Sequence, residues 1–188
     1  MAMTWLLTAL YILVLIVAAA VIVVVLFWES SLLFAPAPFI PTPNEVVPKI
    51  VQALDLQPGQ MFFDLGCGNG KILLACRANQ PEAKMIGIER SWLPYFIARF
   101  KTRHVPEDKI VVWRASLLKR DLSSADKMFV YLFPGLMAKL LVKLQKEAKP
   151  GLKVVSLDFE FKDKTPIEII DLKRPPRALG QKLRIYQF

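Results

Sequence analysis

The first 28 residues carry no side chain that is charged at neutral pH, and Thr4 to Trp28 reads TWLLTALYILVLIVAAAVIVVVLFW. As a helix rising 1.5 Å per residue, that run would be on the order of 37 Å long, enough to cross a hydrocarbon core of about 30 Å with some tilt. A cleaved signal peptide is the competing reading. Against it stand the missing basic n-region, an apolar run longer than an ordinary h-region, and an aromatic end, Phe27-Trp28, suited to a membrane interface. Residues 1–28 are therefore expected to remain as a single-pass transmembrane anchor, and the rest of the chain must form a small domain held beside a membrane.

Charge supports that arrangement. All 25 Lys and Arg come after the anchor, against 16 Asp and Glu, so the net charge of +9 belongs to the soluble part. A basic domain suits the anionic cytoplasmic leaflet and predicts a cytoplasmic location, although Glu29 precedes the first basic residue, Lys49. The two cysteines, Cys67 and Cys76, fit neither a zinc knuckle nor a redox pair, so free thiols and no metal are expected. Residues 29–44 form a linker rich in proline, Ala35-Pro-Ala-Pro-Phe-Ile-Pro-Thr-Pro43, which disfavours helix and favours an extended chain. It is either a stiff spacer or, given apolar Phe39 and Ile40, a segment that packs on the domain and borders its site.

From residue 45 to 188 the pattern alternates. Strands are predicted at 61–65, 85–89, 110–113, 128–133 and 154–159, and helices at 45–54, 71–79, 92–101 and 135–149. Such alternation gives right-handed crossovers and an α/β fold whose parallel sheet is covered by helices on both faces. After Phe159 two further strands, 167–172 and 183–188, are separated by the turn Arg174-Pro-Pro-Arg177 and leave no room for a helix, so an antiparallel pair should finish the sheet.

The chemistry is concentrated after the first strand, in Asp64-Leu-Gly66-Cys67-Gly68-Asn69-Gly70. Alternate glycines let the backbone turn sharply and approach a ligand at the carboxyl end of the strand. A dinucleotide fingerprint needs a third glycine where Lys71 stands, which weakens that reading. Glu89, closing the second strand, is placed to accept hydrogen bonds from ribose hydroxyls. Asp64 would repel a pyrophosphate and favours a ligand carrying an ammonium and a sulfonium. S-adenosyl-L-methionine is the expected cofactor.

This arrangement resembles the Rossmann-like class I methyltransferases from about Val46 to the end of the chain. The resemblance implies cofactor contacts from Asp64, Gly66, Cys67, Gly68, Asn69, Gly70, Glu89, Arg90, Ser116 and Leu117. Gly87-Ile-Glu89 followed by Trp92, the run Leu117-Leu-Lys-Arg-Asp-Leu122, Val130-Tyr-Leu-Phe-Pro134 and Val154-Val-Ser156 are more specific. With the anchor and the Phe39-Ile-Pro-Thr42 segment, they look like the small membrane-anchored protein-lysine methyltransferases, the family acting on the ATP synthase c subunit and the adenine nucleotide carrier. Asn69 and Ser116 depart from that family, which commonly has acids there, and its Trp-containing segment near Phe161 is absent.

The same resemblance puts the acceptor channel at Tyr131, Phe133 and Pro134, with Thr42 and Asp158 as further candidates; an aromatic lining favours a cationic or apolar acceptor. No residue is singled out as the base. The Asn/Asp-Pro-Pro-Tyr/Phe tetrad of adenine amino-methyltransferases is replaced by Tyr131-Leu-Phe-Pro134, and no nucleic-acid partner is expected. Lys139, Lys143 and Lys146 share a helical face that is either solvated or in contact with anionic lipid. Three activities remain open: methylation of a lysine in a membrane or membrane-proximal protein, methylation of a lipophilic small molecule such as a quinone or isoprenoid lipid, and a non-catalytic membrane-tethered binding module.

Overall fold

The computed structural model describes residues 1–34 and 40–188. Two compact units divide the chain, Met1–Pro38 and Phe39–Phe188. In the first, helix α1 spans Ala2–Phe34, six residues beyond the expected end of the anchor at Trp28 and into the expected linker. Its Met3–Leu26 stretch is long and apolar enough to cross a membrane. The two threonines near its start return their hydroxyls to the helix backbone, Thr4 to the Met1 carbonyl at 2.6 Å and Thr8 to the Thr4 carbonyl at 2.9 Å. In an apolar medium that satisfies groups with no water to bond. Ala35 to Phe39, the greater part of the proline-rich stretch, lies outside the described residues.

The second unit is a seven-stranded sheet in the order β3-β2-β1-β4-β5-β7-β6. Its strands are β1 Met61–Leu65, β2 Lys84–Glu89, β3 Ile110–Arg114, β4 Lys127–Val130, β5 Lys153–Leu157, β6 Glu168–Asp171 and β7 Lys182–Gln187. The first five pair in parallel, and β7 runs antiparallel between β5 and β6. Helices are α2 Val47–Leu54, α3 Lys71–Asn79, α4 Trp92–Thr102 and α5 Pro134–Glu147. Sheet order reverses at β1, where one crossover series leaves through β2 and β3 and the other through β4 and β5. Open α/β sheets bind ligands at that point.

Alternation along β1 feeds two cores. Phe62 packs with Ile50 and Leu54 of α2, Leu73 and Cys76 of α3, and Ala98 of α4. Its neighbour Phe63 packs on the other side with Leu140, Leu141 and Leu144 of α5 and with Tyr186. Period-two side-chain direction in a sheet covered on both faces explains why β1 reads as unbroken apolar sequence up to Asp64.

Two strands end earlier than their apolar runs predict. β4 stops at Val130, opposite Ser156, the last paired position of that ladder. β5 stops at Leu157 because Asp158 turns into the left-handed region at φ 60° and the buried Ser156 hydroxyl donates to the Phe159 carbonyl at 2.5 Å. Tyr131 to Phe133 and Asp158 to Phe159 are thereby released from the sheet at its carboxyl edge. The expected helix from Glu45 also divides, into a 3-10 turn Asn44–Val46 and α2.

Candidate active site

The loop after β1 holds its shape through the neighbouring strand. Gly66 and Cys67 both donate their amides to the Ile88 carbonyl, at 2.8 and 3.1 Å, and Gly70 donates to the Cys67 carbonyl at 2.9 Å. Gly66 and Gly70 have φ of 79° and 76°. A Cβ at Gly66 would lie 3.0 Å from Leu132 and one at Gly70 3.3 Å from Ala98, so both conformation and space require glycine. Beneath the loop, Gly87 makes room for Cys67: an added Cβ would meet the Cys67 Sγ at 2.8 Å and Leu73 at 2.6 Å. Burial pushes the Cys67 and Cys76 thiols up, in both cases with the Asp64 carboxylate adding to it, and both cysteines are free.

Glu89 is 8% exposed and ties the loop to the start of α4. One carboxylate oxygen accepts the Gly68 amide at 3.0 Å and the other the Ser91 amide at 2.7 Å. Each oxygen keeps a lone pair, which is what a ribose with two hydroxyls needs. Asn69 accepts the Lys71 amide on its side-chain oxygen at 3.2 Å, satisfying one of the unpaired donors that open α3. The position that departs from an acid thus acts as a neutral cap.

Asp64 is the anomaly of the site. It is 2% exposed, and its Oδ2 has no hydrogen-bond partner among the described residues. Burial first and the Glu89 carboxylate second push its carboxyl up to about 8. An unpaired buried acid beside another carboxylate is costly, and a cation seated between them would offset that cost. The orphaned oxygen and the glycine turn fit a ligand with a cationic amino-acid end and a ribose.

Beyond the ends of β2 and β3, Arg90, Arg114, Ala115, Ser116 and Lys119 line a cleft of about 400 Å³. Leu117, expected to share in the cofactor contacts, is buried in the core and is not among the residues that line the cleft. Ser116 sits where its place after β3 predicts, next to Arg90, while Arg114 and Lys119 are cleft residues that sequence reasoning overlooked. Each carried a weak signal, adjacency to the end of β3.

On the other side of the switch point, Tyr131 and Phe133 both face Phe159, with ring centroids 5.9 and 5.4 Å apart. Phe159 was not foreseen because its run reads as strand. Pro134 is exposed and opens α5. Asp158 turns its carboxylate onto three backbone amides, Gly180 at 2.8 Å, Gln181 at 2.6 Å and Lys182 at 3.2 Å, clamping the chain into β7. Burial, followed by the Asp158 carboxylate beside it, pushes the Tyr131 phenol up to about 12. Thr42 is held at the glycine loop instead: Lys71, at the start of α3, donates its ammonium to the Thr42 carbonyl at 2.6 Å and to Asn44 Oδ1 at 2.7 Å. The end of the proline-rich segment is therefore packed on the domain at the glycine loop. Among the described residues no cluster of His, Cys, Asp and Glu is arranged to hold a metal ion.

A mixed sheet of five parallel strands and an antiparallel finish, with its glycine turn and acid-ended β2 at the switch point, defines a class I S-adenosylmethionine-dependent methyltransferase. The solved structure of a Salinibacter ruber RNA methyltransferase in complex with S-adenosyl-L-homocysteine superposes with a TM-score of 0.71 at 27% identity, covering 79% of this chain and 93% of that one. The family described as the ANTKMT methyltransferase domain matches residues 64–168, more than half of the sequence, and the chain belongs to that family. Curated relatives include the protein-lysine N-methyltransferase of Saccharolobus islandicus, 28% identical over 138 residues that cover 72% of this chain and 85% of that protein. The adenine nucleotide translocase lysine N-methyltransferase of Mus musculus is 27% identical over 133 residues, 71% of this chain and 58% of that protein. This chain thus spans most of the archaeal relative but less than two thirds of the mouse one.

Proposed function

We propose that α1 tethers this chain to a membrane and that its domain transfers methyl groups from S-adenosylmethionine to a lysine side chain of a membrane or membrane-proximal protein. The observation that carries the reading is the pairing, in one member of the ANTKMT family, of the orphaned Asp64 and glycine cradle with a helix long and apolar enough to cross a bilayer. Lysine as the acceptor draws support from the archaeal and mouse relatives, both lysine N-methyltransferases by name.

The cofactor, when bound, supplies an activated methyl group on a sulfonium. In this reading Asp64 faces its cationic end, and Gly66, Gly68 and Gly70 let the backbone approach, with Cys67 packed below and Asn69 capping α3. Glu89 takes the ribose hydroxyls, and Arg90 and Ser116 border the base in the cleft after β3. Tyr131, Phe133 and Phe159 form the wall along which the acceptor amine is aligned and from which water is excluded, the two tasks that in-line transfer sets the protein. With its phenol pushed up to about 12, Tyr131 stays neutral at working pH and serves as wall and hydrogen-bond donor rather than as base. Asp158 positions it, and Thr42 with Pro134 rims the opening.

The experiment is transfer of tritiated methyl to native membranes by the full chain. Label in a protein band that yields methyl-lysine on hydrolysis supports the proposal. Label confined to the organic lipid extract or to RNA refutes it.

A further inference from the structure

Helix α4 is amphipathic in an unusual sense. Its inner face, Pro94, Ala98 and Thr102, is buried against the sheet. The outer face carries Trp92, Phe96 and Phe100 four residues apart, 53%, 55% and 65% exposed, flanked by Leu93 and Ile97. Trp92 and Phe96 stack at 5.4 Å, and guanidinium groups lie over the two ends of the ridge, Arg114 3.6 Å above Trp92 and Arg103 3.7 Å above Phe100. Lys101 adds charge to the last turn of the same helix, where Arg99 is paired with Glu107 at 3.3 Å. Five large apolar side chains on one convex surface, bounded by cations, mark an interaction face rather than scattered exposure.

We propose that this outer face of α4 lies in the interfacial layer of an anionic lipid bilayer, giving the domain a membrane contact of its own. Aromatic rings and arginines belong together in that layer: the rings sit at headgroup depth while guanidinium groups reach lipid phosphates. The net charge of +9 comes from 25 Lys and Arg that all follow α1, and it complements an anionic leaflet. A second copy of the chain is disfavoured, because two such faces would oppose Lys101, Arg103 and Arg114 with their own kind. The ridge is also well placed. α2, α3 and α4 cover the same face of the sheet, and the chain enters the domain in that layer, at Thr42 to Asn44, where Lys71 holds it. The inference rests on the reading of α1 as an anchor, which keeps Ile40 within on the order of 50 Å of Leu26 even if the connection is fully extended.

The test uses the full chain reconstituted in vesicles of phosphatidylcholine with or without phosphatidylserine. Both native cysteines are buried, so a single environment-sensitive fluorophore is placed at Phe96→Cys or, as a control, at exposed Glu168→Cys on β6, the sheet edge opposite β3. With phosphatidylserine the probe at position 96 should shift to the blue, be quenched by shallow spin-labelled lipid, and show a several-fold smaller iodide quenching constant than the probe at 168. Equal iodide quenching at both positions, in a chain that resists alkaline carbonate extraction, overturns the α4 contact and leaves the anchor standing. Extraction by carbonate removes the anchor and this inference with it. Shielding of position 96 that is the same with and without phosphatidylserine also overturns it, because the contact would then not depend on an anionic leaflet.

Discussion

Replacing Asp64 by Asn should stabilise the ligand-free domain while impairing cofactor binding, because the carboxylate is placed for a ligand's charge and not for the fold. Its carboxyl rises from 3.8 to about 8 in the folded chain. Between those values the native state holds a proton that the unfolded chain has released, so stability falls as pH rises from about 4 to about 8. At 1.36 kcal/mol per tenfold, the loss at pH 9 is on the order of 5 kcal/mol. Asparagine removes the charge but introduces an amide donor without a partner, at about 1–3 kcal/mol. A net gain of roughly 2–4 kcal/mol at pH 9 should therefore remain, shrinking to nothing or below at pH 5, where the wild-type carboxyl is neutral. Urea unfolding of the full chain in detergent, with Trp5 and Trp28 changed to Phe so that Trp92 and Trp113 report on the domain, measures both. Parallel stability curves for wild type and Asp64→Asn from pH 5 to 9 would refute the argument.

Other expectations rest on the same geometry. Glu89→Gln should weaken cofactor binding on calorimetric titration by at least ~100-fold, the loss of charge-assisted bonds worth about 1.5–3 kcal/mol each; wild-type affinity would remove the ribose assignment. Gly87→Ala should cost about 1–3 kcal/mol in the same unfolding assay by forcing Cβ against Leu73 and Cys67, and Leu73→Ala in the same chain should lower that penalty. Tyr131→Phe should keep most of the methyl-transfer rate and Tyr131→Ala should lose far more, since the ring and not the hydroxyl is given the main task. Lys71→Met, which frees Thr42 and Asn44, should raise KM for the protein acceptor and leave cofactor affinity unchanged.

What was legible in the sequence came from periodicity and from glycine. Five parallel strands, the antiparallel finish and the loop from Asp64 to Gly70 are all signalled by apolar runs and turn residues, because each is set by local chemistry. Strand ends were less legible. Tyr131 to Phe133 and Phe159 are as apolar as strand, and only the ladder from Val130 to Ser156 and the left-handed Asp158 show that the chain leaves the sheet there. Long-range polar contacts were invisible for the same reason. Lys71 reads as the residue that breaks a dinucleotide fingerprint, yet its ammonium reaches back 29 residues in sequence to the Thr42 carbonyl.

These two kinds of residue meet in the logic of the site. Gly66, Gly70 and Glu89 satisfy the loop's own backbone and would hold its shape with or without a ligand, whereas the Oδ2 of Asp64 is left without a partner among the described residues. A ligand that cancels its charge returns the free energy that burial cost, and it does so only if it is cationic at that point. S-adenosylhomocysteine keeps the ammonium but lacks the sulfonium, so it should recover less of that energy than S-adenosylmethionine. Affinity for S-adenosylmethionine should rise with pH from 6 to about 8, because the free chain then holds fewer of the protons that binding must displace from Asp64. Calorimetric titration across pH 6 to 9 measures that rise, and an affinity that is flat with pH would place the ligand's positive charge away from Asp64.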